Sequence, residues 1–349
     1  MTKILMLTDT HFGCHNASPF YHNNMKKFLD QILFPYIDKH DIKHVVHLGD
    51  LVDSRKSISY YTTSRMRIDY FQSMMERDLN YYQIVGNHDS YYKHKLEIHS
   101  AKELYHDYDI EIIDYPQEVL IEGFKVLFVP WMCKDNYDRT VELLNTSDAK
   151  VVMGHLELAG FQMYKGGILS HGYNESLFDR FDSVFSGHFH HSSVSNHVSF
   201  IGAAGEYTWS DSEDPRGFTV YDTETSEVTF VQNPFKIFHK ILWTDDYLEE
   251  TGLTANHFKN CIIKIYPTGV KDYAKLDKFV ESLQKVGVED CKVIAEQEEI
   301  VGEDVDETTC EDTPSSFKTH VYGMSGDFDK ERMADILISA YQEALACAN

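Results

Sequence analysis

Five stretches of this chain set polar side chains directly after short apolar runs: Asp9-Thr-His11, Gly49-Asp50, Gly86-Asn-His-Asp89, Gly154-His155 and Gly187-His-Phe-His190. The run before Gly86, from Tyr81 to Val85, has the aromatic and β-branched character of a buried strand. Glycine and asparagine suit a tight turn at its end, where α/β proteins present their chemistry. Singly, each motif also fits an ordinary turn. Together they offer seven donors: Asp9, His11, Asp50, Asn87, His155, His188 and His190. Carboxylate, imidazole and amide form a hard-to-intermediate ligand set. It suits Mn2+ ahead of Fe2+, Zn2+ or Mg2+, and the lack of thiolates argues against a structural zinc. Seven donors exceed one ion and suffice for two if Asp50 bridges. Two ions about 3.5–4 Å apart are the usual device for displacement at phosphorus. Side chains at i and i+2 of an extended chain point the same way. Asp9 and His11 can therefore grip one ion together, and so can His188 and His190. Glycine before Asp50, Asn87, His155 and His188 is read as freeing the backbone to turn sharply out of a sheet.

The elements that must position these residues follow from hydrophobic periodicity. Residues 3–8, 44–48 and 81–85 read as strands. Residues 20–40 read as a helix with Met25, Phe28, Leu29, Ile32 and Leu33 on one face. Residues 59–78 read as a second helix, striped by Met66, Tyr70, Phe71, Met74 and Met75, and 97–106 as a third. Strands alternating with helices imply a parallel or mixed sheet with helices outside. After residue 111 short strands dominate, at 119–121, 124–129, 150–153, 183–185, 198–201, 217–221 and 228–231. A second sheet packed on the first is expected. Residues 235–255 read as a connection. A small βαβ-like unit follows, with strands at 261–266 and 291–295 and a helix at 272–286; Lys259, Lys264, Lys271, Lys275, Lys278 and Lys285 make it less acidic than its surroundings. Residues 296–312 read as a solvated acidic linker. The amphipathic helix expected at 329–346 either folds back on the body or binds a partner helix.

Composition narrows the function. The chain has 349 residues, enough for a large catalytic domain and an accessory one. A formal net charge of -24 argues against holding nucleic acid on a broad basic surface of its own. The six cysteines are scattered, with no CxxC, so a reduced, cytoplasmic chain is expected. The apolar start, residues 1–7, is too short for a signal h-region or a membrane span, and no other membrane segment is evident.

The motif order resembles that of the calcineurin-like metallophosphoesterases, whose fold is an α/β, four-layer αββα double-sheet sandwich. The segments 49–56 (GDLVDSRK), 129–131 (VPW), 154–160 (GHLELAG) and 214–218 (DPRGF) narrow the likeness. They resemble the nuclease subunits of SbcCD-type DNA double-strand-break repair complexes, and most closely the recombination endonuclease subunits of tailed bacteriophages. The resemblance implies a first metal on Asp9, His11, Asp50 and His190. It implies a second on Asp50, Asn87, His155 and His188, with His88 as the acid beside the leaving group. The implied cofactors are two Mn2+, with Mg2+ as a less active substitute. It also implies a nuclease domain over 1–235, a DNA-capping domain over 236–297, an acidic linker over 298–326 and a C-terminal ATPase-binding helix over 327–349. The implied activity is exonuclease action on duplex DNA ends and endonuclease action on single strands, in recombination and break processing. The implied partners are DNA, an SMC-like coiled-coil ATPase subunit and a second copy of the chain within a heterotetramer. The implied location is the cytoplasm, that of a host if the chain is phage-encoded. One departure stands out: some members carry a second catalytic histidine three residues after the bridging aspartate, where this chain has Asp53. Any contribution from Asp53 is then to orient a ligand.

Two rival functions are set beside this one. A small-molecule phosphodiesterase or phosphatase has no need of the capping unit or the C-terminal helix. An interaction subunit with a dead site conflicts with a complete donor set. Several residues have plainer roles. His44 and His47 flank strand residues and read as structural. His171, His191 and His197 read as surface or supporting groups. Glu157 either holds the second nitrogen of His155 or is solvated. Cys14 reads as a free thiol, and Arg55 meets either a phosphate or an acid. The Met66, Tyr70 and Met74 stripe serves either the core or a dimer interface.

Overall fold

The computed structural model describes residues 2–164, 167–169, 172–294 and 332–333. Two six-stranded mixed sheets form the body. The first runs Val228–Gln232, Gly217–Asp222, Lys3–Leu7, His44–His47, Asn80–Ile84, Ile110–Ile113. Its last four strands are parallel and its first two antiparallel. The second runs Ser193–Ser195, Val198–Phe200, Ser183–Gly187, Val151–His155, Phe124–Val129, Gln117–Ile121, with four parallel strands between antiparallel edges.

Alternation along the strands builds the layers. Ile4 and Met6 point inward, with Val46, Tyr82 and Ile84, against Val126, Phe128, Val151, Met153 and Phe185 of the second sheet. Leu5, Leu7, Val45 and Tyr81 point outward onto helical residues Phe28, Leu29, Leu33, Met66, Tyr70 and Met74. Leu127, Val129, Val152 and Val184 face outward on the other side, onto Leu143, Leu144 and Phe178. Strands buried on both faces must be apolar throughout, which is why the central ones read as unbroken runs. The expected αββα layering is therefore present. The Met66, Tyr70 and Met74 stripe is core.

The first two helices are longer in plan than in fact. Residues 20–40 divide into Pro19–Phe28, a π-helical turn Leu29–Leu33, and Phe34–His40. Phe34 N–H donates five residues back, to Leu29. Pro35 follows at once, and its missing N–H and bulky ring cannot fit the ordinary ladder. The second helix is likewise interrupted, at Arg67–Phe71, with no proline to account for it. The third is shorter than expected, Ser100–Tyr105.

The small unit holds a three-stranded parallel sheet, Phe238–Trp243, Ile262–Pro267 and Asp290–Val293, under the helix Tyr273–Val286. Its first strand lies in the stretch read as a connection. Only pairing with Ile262–Pro267 makes it a strand, a long-range fact that local pattern does not carry. Asp272 caps the helix by accepting from Lys275 N–H (3.2 Å), and Gly287 ends it with φ 84°. The unit is bolted to the body. Ile237, Phe238 and Ile262 pack on Phe20, Tyr21 and Trp209, and Glu206 accepts from the N–H groups of Ile237 (2.7 Å) and Phe238 (2.9 Å). Residues 1–296 form one compact unit. The acidic linker and the C-terminal helix lie outside the described residues, apart from Arg332 and Met333, which are helical. His171 also lies outside them. No helix among the described residues is long and apolar enough to cross a membrane.

Candidate metal centre

All five donor stretches arrive at carboxyl ends of parallel strands, where open α/β sheets gather their ligands. Asp9 and His11 follow Lys3–Leu7, Asp50 follows His44–His47, and Asn87 follows Asn80–Ile84. From the second sheet, His155 ends Val151–His155, and His188 and His190 follow Ser183–Gly187. The two sheets are stitched together here. Asp9 Oδ2 accepts from His188 N–H (3.0 Å), and His155 Nδ1 donates to the Leu48 carbonyl (2.7 Å).

The donors converge in two groups. Asp9, His11 and His190 form the first. His11 Nε2 and His190 Nε2 face each other at 3.0 Å, and Asp9 Oδ1 lies 3.8 Å from His11 Nε2. Asp50, His155 and His188 form the second. Asp50 Oδ2 and the Asn87 amide oxygen lie 3.3 and 2.9 Å from His155 Nε2. The backbone bond from Nδ1 fixes the neutral tautomer of His155, so its Nε2 lone pair is the one offered to these oxygens' common centre. His188 and His190 thus serve different groups, and the i, i+2 argument fails for them. His188 has φ 86°, which breaks the extended geometry that argument needs. Asp9 and His11 do share a group, although with φ 49° and 41° they are not extended either.

Glycine acts by its size here more than by its freedom to turn. A Cβ on Gly86 would stand 2.2 Å from Asp50 Oδ1, and one on Gly187 would stand 2.0 Å from Thr8 Oγ1. Neither has a positive φ. Gly49, before Asp50, does turn as expected, with φ 103°, and further left-handed conformations fall on the donors Asp9, His11, Asp50 (φ 53°) and His188. For non-glycine residues these are costly and cluster at functional sites.

Around the groups stand residues to which the sequence reading gave no individual role. Asp89 is buried. Its Oδ1 accepts from Leu51 N–H (3.0 Å), Val52 N–H (3.2 Å) and the Ser100 hydroxyl (3.3 Å), and its Oδ2 accepts from Gly86 N–H (2.9 Å). One carboxylate therefore ties the Asp50 loop to the Asn87 loop. Burial first, and then Asp50, raise its pKa, against the amides that lower it. Tyr207 donates to the Asp9 carbonyl (2.8 Å), and its ring lies 5.4 Å from that of His11. Arg216, buried, bonds Asp211 (2.8 Å), Asp214 (3.0 Å) and the His190 carbonyl. The motif at 49–56 hinted at Asp53. Its carbonyl accepts from His88 Nδ1 (2.6 Å), and its Oδ1 lies 3.4 Å from His11 Nδ1. His88 N–H donates to Asp50 Oδ1 (2.8 Å), and His11, Asp53 and His88 form a third cluster of groups close enough to hold an ion.

The remaining histidines do other work. His47 bonds Thr10 Oγ1 (3.1 Å), His191 bonds Asp214 (2.9 Å) and His197 bonds the Phe178 carbonyl (3.0 Å). Glu157 does not hold His155, whose Nδ1 is taken by Leu48; its Oε2 lies 3.9 Å from His188 Nε2. Arg55 donates to the Ser90 carbonyl (3.2 Å). Cys14 is a buried free thiol.

The electrostatics fit a cation. Burial lowers the His11 pKa, but Asp53, Asp50 and Asp9 outweigh it and hold it at about 9. Burial opposes Asp50 and Asp9 in the same way at His155, also at about 9. Burial and then the charge on His155 push His188 down to about 3, and burial with His11 and Arg216 holds His190 well below its usual range. Asp50 is buried yet held well below the carboxylate range by His155, His88 and His11. Each group thus sets a ring that attracts charge beside one kept neutral. Asp9 Oδ1 is buried without a hydrogen-bond partner among the described residues. Divalent ions would satisfy that oxygen, the facing Nε2 atoms and the clustered carboxylates together.

Comparison with known proteins agrees. A model of calcineurin-like phosphoesterases matches residues 2–192, a span that takes in all seven donors. Exonuclease subunit 1 of Enterobacteria phage T4 is 30% identical over 346 residues, 98% of this chain and 99% of that protein. A subunit of the nuclease SbcCD from Staphylococcus saprophyticus subsp. saprophyticus is 22% identical over 196 residues, 50% of this chain and 46% of that protein. With the double-sheet fold and the strand-end donors already in place, this chain belongs to the calcineurin-like phosphoesterase family.

Proposed function

We propose that this chain is a metal-dependent DNA nuclease, the nuclease subunit of an ATPase–nuclease complex of the SbcCD type. One observation carries the reading: two donor groups, Asp9 with His11 and His190, and Asp50 with His155 and His188, stand at the strand ends of a chain similar, over nearly its whole length, to a phage exonuclease subunit. Asp9, His11, Asp50 and His190 would hold one ion, and Asp50, Asn87, His155 and His188 the other. Mn2+ suits this set best, with Mg2+ as a weaker substitute. When bound, the two ions supply Lewis-acid charge for displacement at a phosphodiester. Asp50 keeps the groups adjacent, and its other oxygen fixes the backbone of His88. The Asp53 carbonyl occupies His88 Nδ1–H, so it is as the imidazolium that His88 would give its Nε2 proton to the departing oxygen.

In this reading residues 236–297 cap the DNA, and the C-terminal segment, 327–349, binds a coiled-coil ATPase. The chain pairs with a second copy, and the substrates are duplex ends and single strands. The test compares end-labelled linear duplex, a generic phosphodiester and a generic phosphomonoester in Mn2+, with the purified chain. Degradation of the duplex from its ends is expected. Strong phosphomonoester turnover with intact DNA would reject the nuclease in favour of a phosphatase.

A further inference from the structure

The segment Val129-Pro-Trp131 runs off the strand Phe124–Val129 at its carboxyl end, beside the parallel strand that carries His155. Trp131 is pinned there. Its N–H donates to the Val85 carbonyl of the other sheet's Asn87 turn (2.9 Å), and its own carbonyl accepts from the Asn136 amide (2.9 Å). The side chain packs on the small cluster of Val85, Leu96 and Cys133. These contacts fix the indole against the second donor group, with its centre 5.0 Å from that of the His188 ring and 6.0 Å from that of His155.

The chain has three tryptophans, and the other two have evident packing roles. Trp243 is wholly buried in the small unit, stacked on Phe279 (4.8 Å), and Trp209 packs on Phe238 at the seam (4.9 Å). Trp131 is half-buried beside the donors. His188 and His155 meet its ring at 51° and 65°, so among the described residues no ring lies flat on the indole. Aromatic surface continues outward from it. Tyr137, exposed and next to Asn136 in the chain, stacks on Tyr173 (5.5 Å, 20°). Tyr173 N–H donates to the Glu157 carbonyl (2.8 Å), and the Glu157 carboxylate lies 3.9 Å from His188 Nε2.

Building on the nuclease reading above, we infer that the Trp131 indole is a shelf on which a base of the bound strand stacks, next to the phosphate at the second donor group. The donors recognise phosphate, and nothing in them separates a nucleotide from another phosphoester. A flat indole fixed beside His188 does, because every base offers a π-face and an aliphatic phosphoester offers none. Such a contact tolerates any sequence, since all four bases stack. Trp131 is therefore a specificity-determining residue, and the chemistry stays with the donors and His88.

The test uses the full-length chain in Mn2+ and two single strands of equal length: an oligothymidylate, and a strand of stable abasic residues that keeps every phosphate and removes every base. One lost base–aromatic stack weakens binding by about 5–140-fold. The native chain should show a KM lower by at least that margin on the thymidine strand. Trp131→Leu, which keeps the apolar packing without the π-face, should lose that margin on the thymidine strand and leave KM on the abasic strand unchanged. Trp131→Phe should keep most of the preference. Affinity for both Mn2+ equivalents, read by calorimetry, should not move in either variant, which a tryptophan that merely props His188 would not allow. The shelf is overturned if the native chain takes both strands with one KM, if Trp131→Leu shifts KM on both strands or on neither, or if it loosens Mn2+; each of these leaves the nuclease reading standing. A native chain that cuts neither strand nor any duplex overturns both.

Discussion

Asp89→Asn should be among the most damaging isosteric changes in the protein. The carboxylate is buried and accepts three backbone N–H bonds and one hydroxyl bond, drawn from two loops and the start of the helix Ser100–Tyr105. Asparagine keeps the shape but turns one acceptor oxygen into a donor. Whichever way the amide lies, at least one backbone N–H then faces an NH2. A hydrogen bond to a charged group contributes about 1.5–3 kcal/mol, and a buried donor left without a partner costs about 1–3 kcal/mol. Allowing for partial relaxation, the loss should be about 3 kcal/mol. At about 2–4 °C per kcal/mol for a domain of this size class, Tm should fall by roughly 6–12 °C. A melt in chelator reads the protein contribution alone. Activity in saturating Mn2+ should also fall, because the loops that Asp89 ties together carry Asp50, Asn87 and His88. The sign rests on an ionised Asp89. Burial and Asp50 raise its pKa, and the amides from Gly86 and Val52 oppose them. If the carboxyl were already protonated, asparagine would mimic it. A Tm shift under about 2 °C with native activity would show that, and would refute the clamp.

Asp50→Ala should lose both ions, since it removes the one donor common to the two sets; two equivalents of Mn2+ retained by the purified variant would disprove the bridge. His88→Ala should keep its metals and its DNA affinity while turnover falls by about 10²–10⁴-fold, the usual contribution of a general acid; metal analysis that finds an ion missing would move His88 into the coordination set. Asp53→Ala should weaken one of two Mn2+ equivalents by about 10–100-fold, as outer-sphere partners of ligating histidines do. Turnover at saturating metal should largely survive, because His88 is held by the Asp53 backbone and not its side chain. Equal weakening of both equivalents in calorimetry would contradict a role through His11.

What the sequence disclosed and what it hid divide along a physical line. Each strand-end motif is local: an apolar run fixes the strand, and the next two or three residues carry the donors. Asp9, His11, Asp50, Asn87, His155, His188 and His190 could be found that way, and the structure gathers them at one edge of the sandwich. Their sorting could not be found that way. His188 and His190 part company while Asp9 and His11 stay together, although both segments leave the extended geometry, and no side-chain pattern specifies either outcome. The role of Asp89 depends on three amides from residues that are neighbours only after two parallel strands have paired. The strand Phe238–Trp243 exists only through its partner, and was read as a connection for that reason. Net charge has the same limit. A net charge of -24 is a sum over the chain, and a sum cannot tell whether Lys240, Lys264 and Lys292, each over twenty residues from the next, stand apart or side by side. Register decides that, and register puts them in one row. The charge of a whole chain therefore says nothing of how charge is arranged along one strand face.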